Sequence, residues 1–407
     1  MKILLISEER FVQIFKSIIL FVSIAHAGNL QIDSVVVRDH PKLLPHVGMR
    51  IFESVKGSPV DENVSEAAFK IWSQTPFLSN ASHVSLARYR SSKIAAVISM
   101  DPVFNSHVSG MVGTGKNPSG FWESQGEINL HLENVWATAG ALDVSWNRLN
   151  AGSQFTEISV SEPYLPVVPI GLHAGWKEHL QDAMSLLRAT EFSALLHSQH
   201  GWTWKTGYRK TTIRPTDAAQ KEGFESSLSE TAVLGLSKIT VDHPWLPKSG
   251  FKFDAFAEFG VEERTVSASS IASAKVEAAY FYPVSDRWIW MTGLKTSGTF
   301  SGSGSILPAQ QVRFGGVRSL RGYSEDFFRS DWVVIPTIEM RFAALKFLQF
   351  SGFIETAFQS SNVENPMSWG FGLIQKTEAA VLQVYYGLAR GKAAADGTIH
   401  IKLTGLL

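Results

Sequence analysis

Arginine and glycine are concentrated between Phe314 and Tyr323, where the chain reads Phe-Gly-Gly-Val-Arg-Ser-Leu-Arg-Gly-Tyr. Gly315 and Gly316 allow the backbone a positive φ or a close approach to another segment. Arg321 adds a planar, permanently charged fork of five N–H donors, which needs a carboxylate partner wherever it is buried. The stretch therefore predicts either a buried arginine–carboxylate pair or an exposed hairpin with solvated arginines.

Glu339 and Glu355 are the candidate carboxylate partners. In the run 337–342, the apolar residues alternate with polar ones, so that Glu339 faces away from the apolar side. The same alternation places Glu355 on one face with Phe353, and its charge favours a polar interior over lipid. Two inward glutamates on neighbouring strands, one loop away from Arg321, would form a receptor for its guanidinium.

Other chemical motifs in the sequence are weak. Gly110–Lys116 matches the phosphate-loop pattern, but Asn117 stands where a serine or threonine is needed, and a turn follows instead of a helix. The twelve histidines show no metal-ligand spacing, and no G-x-S-x-G elbow precedes a helix. With 37 basic and 37 acidic residues there is no basic excess for nucleic acid, and the absence of cysteine excludes a thiol nucleophile. We expect no catalytic residue, no metal and no cofactor.

Short alternating strands, separated by Gly, Asn, Pro and Ser, fill the chain from His107 onward and must position these residues. We predict sixteen strands, an even number that suits a closed antiparallel barrel. Lys177–His197 also fits a helical stripe, but its flanks favour strands. The predicted strands are 107–115, 125–136, 140–149, 153–162, 169–181, 185–198, 202–214, 229–241, 249–262, 272–283, 287–300, 331–342, 347–358, 367–376, 380–389 and 397–405.

The first 105 residues differ from the rest. Basic residues, an apolar run and Ala25-His26-Ala27 predict a cleaved signal peptide over 1–27, with a membrane anchor as the alternative. Residues 28–105 read as a small α+β domain with strands at 30–37, 83–89 and 93–100 and a helix that starts near Pro59 or Asp61.

Only 18% of residues are charged, and no window beyond Ala27 suits a spanning helix, so 106–407 are predicted to be a transmembrane barrel. Tryptophans near strand ends suit interfacial girdles; they are Trp122, Trp136, Trp202, Trp204, Trp245, Trp288, Trp290 and Trp332.

Several motifs in the right order resemble one family. Leu320-Arg321-Gly322-Tyr323 is similar to the (V/I)-R-G-(F/Y) signature in the sixth outer loop of the BamA/TamA-type outer-membrane assembly factor superfamily. Ile338–Phe342 resembles the family's E-x-R-F strand, and Phe353–Ala357 resembles its F-x-D-x-G strand, with Glu355 for Asp and Ala357 for Gly. The resemblance covers most of the mature chain. It implies a surface-antigen-type barrel preceded by a single polypeptide-transport-associated (POTRA) domain over 28–105.

The resemblance also implies a mechanism. The loop that holds Gly315, Gly316, Arg321, Gly322 and Tyr323 would fold into the lumen and pair with Glu339 and Glu355. A weakly paired seam would lie between the first strand, which is rich in glycine, and the last; its residues are Gly110, Gly113, Gly115, Ile399, Ile401 and Leu403.

Client polypeptides, either β-barrel precursors or secreted proteins, would add to this seam or to the POTRA sheet by β-augmentation. The expected location is the bacterial outer membrane, with the POTRA domain in the periplasm. Expected partners are outer-membrane lipid, the client polypeptides and accessory lipoproteins, but no nucleic acid. A passive pore and an envelope hydrolase remain as alternatives, and a two-partner secretion pore is a variant of the main hypothesis.

Overall fold

The computed structural model describes residues 31–407 except 39, 61–65, 67–70, 72–74, 76, 80, 91–92, 117–121, 151, 199, 223, 266 and 361–363. The predicted signal peptide, over 1–27, and most of the predicted helix after Asp61 lie outside the described residues. The chain divides into two compact units, Met1–Pro102 and Val103–Leu407. Among the described residues, no helix combines the length and the apolar character needed to cross a bilayer.

The N-terminal unit contains a three-stranded sheet. Its strands are β1 (Ile32–Val37), β2 (His83–Arg90) and β3 (Lys93–Ser99), with β3 in the centre, parallel to β1 and antiparallel to β2. A helix that the sequence analysis did not predict, α1 (Pro45–Phe52), has Pro45 in its first turn and continues into a 3₁₀ turn, Glu53–Val55. The core of this unit consists of fully buried apolar side chains, namely Ile32, Val47, Phe52, Val55 and Ile98.

The C-terminal unit is a closed barrel of sixteen antiparallel strands, as predicted. Its first eleven strands are β4 (His107–Lys116), β5 (Trp122–Glu133), β6 (Ala141–Asn150), β7 (Ser153–Glu162), β8 (Gly171–Gln181), β9 (Ser185–His197), β10 (Thr203–Pro215), β11 (Ser227–Ile239), β12 (Gly250–Arg264), β13 (Ala268–Pro283) and β14 (Trp288–Ser301). Lys177–His197, which also fits a helical pattern, thus forms parts of two strands.

The remaining wall strands follow a long loop. A small hairpin, β15 (Val312–Phe314) with β16 (Phe328–Ser330), lies inside that loop. The wall continues with β17 (Trp332–Leu345), β18 (Leu348–Thr356) and its extension β19 (Phe358–Gln359), β20 (Met367–Lys376), β21 (Ala380–Ala389) and β22 (Thr398–Leu406). A short helix, α2 (Asp217–Lys221), is capped by Thr216 in the connection between β10 and β11.

Side chains alternate between two surfaces along each wall strand, because successive residues of a strand point in opposite directions. The outer surface is apolar and exposed, with Phe192, Phe259, Phe300, Phe371 and Ile399 among its members. The inner surface carries buried polar groups such as Glu191, Ser193, Glu262, Glu339 and Gln349. This arrangement, apolar outside and polar inside, is that of a transmembrane barrel.

The prediction of an interfacial girdle is wrong for Trp245. It lies in the turn between β11 and β12, which folds into the barrel, and its ring packs against His107 and an interior apolar cluster. Hydrogen bonds within the turn set this direction, as described below. Trp204, Trp288 and Trp290 are exposed on the outer surface, in keeping with a girdle.

Candidate functional site

The long loop 302–331, between β14 and β17, lies against the inner wall of the barrel. Its 3₁₀ turn, Pro308–Gln310, leads into the β15–β16 hairpin. Gly315 and Gly316 then turn the backbone with φ of 127° and 84°, values that favour glycine. The loop packs on β17 and on the residue that links β18 to β19 through a buried apolar cluster: Phe314, Leu320, Val333, Ile335 and Ala357.

Arg321 reaches two carboxylates on the inner wall. Its Nε and Nη2 atoms lie 2.9 and 2.7 Å from Glu355 Oε1, and its backbone N–H donates to Glu355 Oε2 at 2.8 Å. Its Nη1 atom lies 2.9 Å from Glu339 Oε2. All three residues are at most 6% exposed. The guanidinium therefore binds both glutamates at once, and Glu355 holds the loop backbone as well as the charge.

The surroundings balance this charge. Glu339 Oε1 accepts a second bond, of 2.8 Å, from Arg341 Nε, so two arginines face two glutamates. The Arg321 guanidinium also lies 3.5 Å from the ring centre of Phe353 and 4.9 Å from that of Tyr385, and both distances are in the range of a cation–π contact. A neutral, largely desolvated cluster of this kind is held firmly in place, and loss of one member leaves a buried charge unpaired.

The loop tip, Gly322 and Tyr323, contacts the C-terminal strands. Thr398 Oγ1 on β22 donates to the Gly322 carbonyl at 3.3 Å, and the Gly322 N–H lies 3.4 Å from His400 Nε2. The Tyr323 hydroxyl donates to the carbonyl of Met367 on β20 at 3.2 Å. With the glutamates of β17 and β18, the loop thus contacts most of the C-terminal wall, including its last strand.

A close backbone approach makes this seating of the tip feasible. Gly322 has a φ of 90° and passes directly over Gly387 on β21. A Cβ atom at Gly387 would lie 2.5 Å from the Gly322 nitrogen, closer than real Cβ atoms approach other atoms. Glycine at both positions therefore allows the two backbones to meet.

A second anchor holds the base of the loop. Arg313 and Arg329 face each other across the β15–β16 ladder, and both bind Asp182, in the turn between β8 and β9. The Arg313–Asp182 distance is 2.7 Å. Burial alone would raise the pKa of Asp182, but the hydrogen bond from Arg313 and the charges of both arginines lower it. Asp182 thus relieves the repulsion between two like charges. The sequence analysis missed this anchor, because its parts lie more than a hundred residues apart.

The seam between β4 and β22 is joined by fewer residue pairs than the neighbouring strands are. Within the described backbone of both strands, only His107–Leu406, Val108–Gly405 and Ser109–Thr404 are paired. By contrast, eight pairs join β21 to β22 and ten join β4 to β5. The paired end of the seam lies opposite the end at which loop 302–331 begins. Toward that loop, the facing edges of β4 and β22 are unpaired.

The predicted seam residues all lie in the unpaired part. Gly110, Gly113 and Gly115 pair with β5 but not with β22. On β22, the side chains Ile399, Ile401 and Leu403 point outward and are 64%, 59% and 54% exposed. The structure therefore places these residues along an apolar, open edge of the wall.

The lumen contains a polar cavity of about 680 Å³ beside the loop. Both charge signs line it, and the central groups are paired with each other: Arg209 binds Glu191 at 2.5 Å and Glu258 at 3.2 Å. In the part of the chain that the structure describes, no group of three or more His, Asp or Glu residues could hold a metal ion. Gly110–Lys116, the phosphate-loop match, is a barrel strand.

Three solved structures resemble the chain in fold. BamA from Haemophilus ducreyi lacking POTRA domains 1–3 has a TM-score of 0.58 at 11% identity, over 92% of this chain and 84% of that one. CdiB from Acinetobacter baumannii has a TM-score of 0.63 at 11% identity, over 93% of this chain and 74% of that one. CdiB from Escherichia coli has a TM-score of 0.55 at 12% identity, over 94% of this chain and 91% of that one. At such identities, the likeness is one of fold.

The sequence comparisons locate the family signal in the barrel. No curated protein sequence gives a significant match to the chain. The model of the Omp85 superfamily domain matches residues 182–403, which is more than half of the chain and includes the Arg321 loop, Glu339, Glu355 and most of β22. The chain therefore belongs to the Omp85 superfamily and is an outer-membrane β-barrel protein.

Proposed function

We propose that this protein inserts client polypeptides into the outer membrane or moves them across it, and that the seam between β4 and β22 is the place where a client strand adds. The observation that carries the proposal is the seam itself, with three residue pairs where its neighbours have eight and ten. Superfamily membership supports a transport or assembly role and no enzymatic one.

An open edge in a bilayer has a direct physical consequence. Each unpaired backbone N–H or C=O group in hydrocarbon costs several kcal/mol, because no water is present to bind it. A client segment in extended conformation would satisfy the free groups of β22 by strand addition. The exposed apolar side chains Ile399, Ile401 and Leu403 would then continue the lipid-facing surface onto the client.

In this proposal the loop fixes one strand of the seam, and the other strand is free to move. Arg321 and Gly322 tie β22 to the strands before it, so that β22 would be a fixed template. Among the described residues of β4 there is no such hydrogen bond from Arg321 or Gly322, and its glycines at 110, 113 and 115 weaken its pairing. In this proposal, β4 moves away while β22 and its brace stay in place.

The N-terminal unit would receive clients before they reach the barrel. We propose that residues 28–105 are a POTRA-like periplasmic domain, after a cleaved signal peptide over 1–27. Both β1 and β2 are edge strands of its sheet and therefore offer backbone groups for β-augmentation. Accessory lipoproteins would be further partners on the same side of the membrane.

Site-specific photocrosslinking in cells tests this function. A photoreactive residue at Gly110 or Leu403 is expected to capture client chains, and the same residue at Phe259, on the lipid-facing side of β12, is the control. Captured barrel precursors would indicate insertion, and captured soluble cargo would indicate translocation. Equal or absent capture at all three positions, together with a large steady conductance of the purified barrel, would contradict the proposal and favour a passive pore.

A further inference from the structure

The turn 240–249, between β11 and β12, folds back into the barrel at the end opposite loop 302–331. Its base is closed by Asp242, whose Oδ1 accepts from the backbone N–H groups of Lys248 and Ser249 at 2.9 and 3.1 Å. His243 Nδ1 accepts from the N–H groups two and three residues further on, at 3.1 and 3.0 Å. These bonds fix the tip of the turn, Trp245 and Leu246, in one direction.

Leu246 meets the Arg321 site from the other end of the barrel. It is 5% exposed and belongs to an apolar cluster with Phe353, Ile374, Val381 and Tyr385. Its carbonyl accepts from the Gln349 side chain on β18 at 3.3 Å. Phe353 and Tyr385 are the two rings that lie against the Arg321 guanidinium. The turn and the long loop therefore share one pair of aromatic side chains.

Trp245 meets the paired end of the seam. Its ring lies edge-on to that of His107 on β4, with 5.0 Å between the centres and an angle of 88°. Trp245 also packs on the Leu246 cluster, as does Leu406 on β22. His107 and Leu406 form the outermost of the three seam pairs. At the end where the seam is still paired, the turn thus contacts β4 directly through Trp245 and shares an apolar cluster with Leu406 of β22.

We propose that Trp245 and Leu246 are positioning residues that hold this end of the seam closed, so that the seam opens from the opposite end. The inference rests on the proposed function only in that the seam opens. Among the described residues, the backbone contacts between the two edges are the three residue pairs and the bond from the Leu407 N–H to the Ser106 carbonyl at 2.9 Å. The turn adds the ring contact to His107 on β4 and the apolar cluster against which Leu406 of β22 packs. The turn also links the seam to the Arg321 loop through the shared rings.

The rate at which a disulfide forms across the seam reports how often the paired end is closed. The chain has no native cysteine that would interfere. Val108 and Gly405 are directly paired across antiparallel strands, where facing Cα atoms lie about 4.5–5.5 Å apart, within the span of a disulfide. In the purified full-length protein, Trp245→Ala is expected to lower the rate of disulfide formation in Val108→Cys/Gly405→Cys by about two- to tenfold, the range that an aromatic contact supplies.

Two controls separate this role from a general loss of structure. Val384→Cys/Ile401→Cys, a paired position on β21 and β22, is expected to cross-link at the same rate with and without Trp245→Ala. Trp204→Ala, which removes an exposed tryptophan from the outer surface, is expected to leave the seam rate unchanged. If Trp245→Ala does not fold, Leu246→Ala is measured in the same way and is expected to lower the seam rate.

An unchanged seam rate in the folded variant, or an equal drop at the β21–β22 position, would overturn the proposal. The measurement needs no client, so its failure is distinct from a failure of the proposed function. A slower seam disulfide without client capture would keep the positioning role and reject the function. Client capture with an unchanged rate of seam disulfide formation would keep the function and reject the positioning role.

Discussion

Arg321→Ala is expected to release the luminal loop, and a second change is expected to restore part of its hold. In the native cluster, Arg321 and Arg341 face Glu339 and Glu355, and the four charges cancel. Loss of Arg321 leaves one uncompensated negative charge on the two glutamates, which are at most 4% exposed. Removal of one partner from a buried ion pair costs about 3–5 kcal/mol.

Glu355→Gln in the Arg321→Ala background removes the extra charge and leaves Arg341 paired with Glu339. The remaining cost is that of lost hydrogen bonds at Glu355, about 1–3 kcal/mol. We therefore expect the double variant to hold the loop more firmly than Arg321→Ala alone, although it carries one more substitution. Glu355→Gln alone is also expected to loosen the loop, because it leaves a net positive charge and removes the carboxylate oxygen that accepts from the Arg321 backbone.

Trypsin cleavage after Arg318, an exposed residue of the loop, measures the released population in folded barrels that keep their heat-modifiable gel mobility. A cost of about 3 kcal/mol corresponds to roughly a hundredfold faster cleavage. Arg390→Ala, at the exposed ion pair with Glu364, is the matched control and is expected to change stability by less than about 1 kcal/mol. Equal cleavage of Arg321→Ala and the double variant, or no change in either, would refute the charge balance.

Three further predictions concern the other contacts of the loop and the turn. Gly387→Ala is expected to lift the loop tip from β21 and cost about 1–3 kcal/mol, because its Cβ would meet the backbone of Gly322; faster cleavage after Arg318 checks this, and unchanged cleavage contradicts it. Asp182→Asn leaves Arg313 and Arg329 of the β15–β16 hairpin unneutralised and is expected to speed trypsin cleavage after Arg329 by about two- to fivefold, so an unchanged rate would show that Asp182 is no anchor. Burial, with a smaller effect from nearby Lys376, lowers the pKa of His243 below its usual 6.5, so the ring is neutral in the folded turn. The turn is therefore fully stable above about pH 6.5 and becomes less stable as the pH falls from there through the lowered pKa. Hydrogen exchange of the amides that His243 accepts from, corrected for intrinsic rates, should therefore lose protection between neutral pH and about pH 5, and His243→Gln should remove the pH dependence; protection that stays constant in the native protein would contradict this.

Most of the fold could be predicted from the local alternation of apolar and polar residues. A period of two residues places Glu339 opposite its apolar neighbours whatever the rest of the chain does, so the inward face of β17 could be inferred from a few residues. The same rule located the sixteen strands. By contrast, α1 was missed because Pro45 starts a helix of only eight residues, too short to show a clear apolar stripe.

Contacts between distant segments could not be inferred in this way. Trp245 has the composition of an interfacial residue, and only the hydrogen bonds of Asp242 and His243 turn it inward. The bond from Arg313 to Asp182 joins residues 131 positions apart, with no signal in either neighbourhood. The number of residue pairs at the seam could not be predicted from the sequence either, because it depends on how the whole barrel closes.

Tethering the seam is the most direct test of the central claim. Continued in the register of the three existing pairs, Gly110 would face Leu403, so Gly110→Cys/Leu403→Cys should form a disulfide that holds the open part shut. We predict that the oxidised barrel no longer inserts or translocates its client in cells and that reduction restores the activity that the same double variant has before oxidation. Full client activity in a quantitatively tethered barrel would contradict the account.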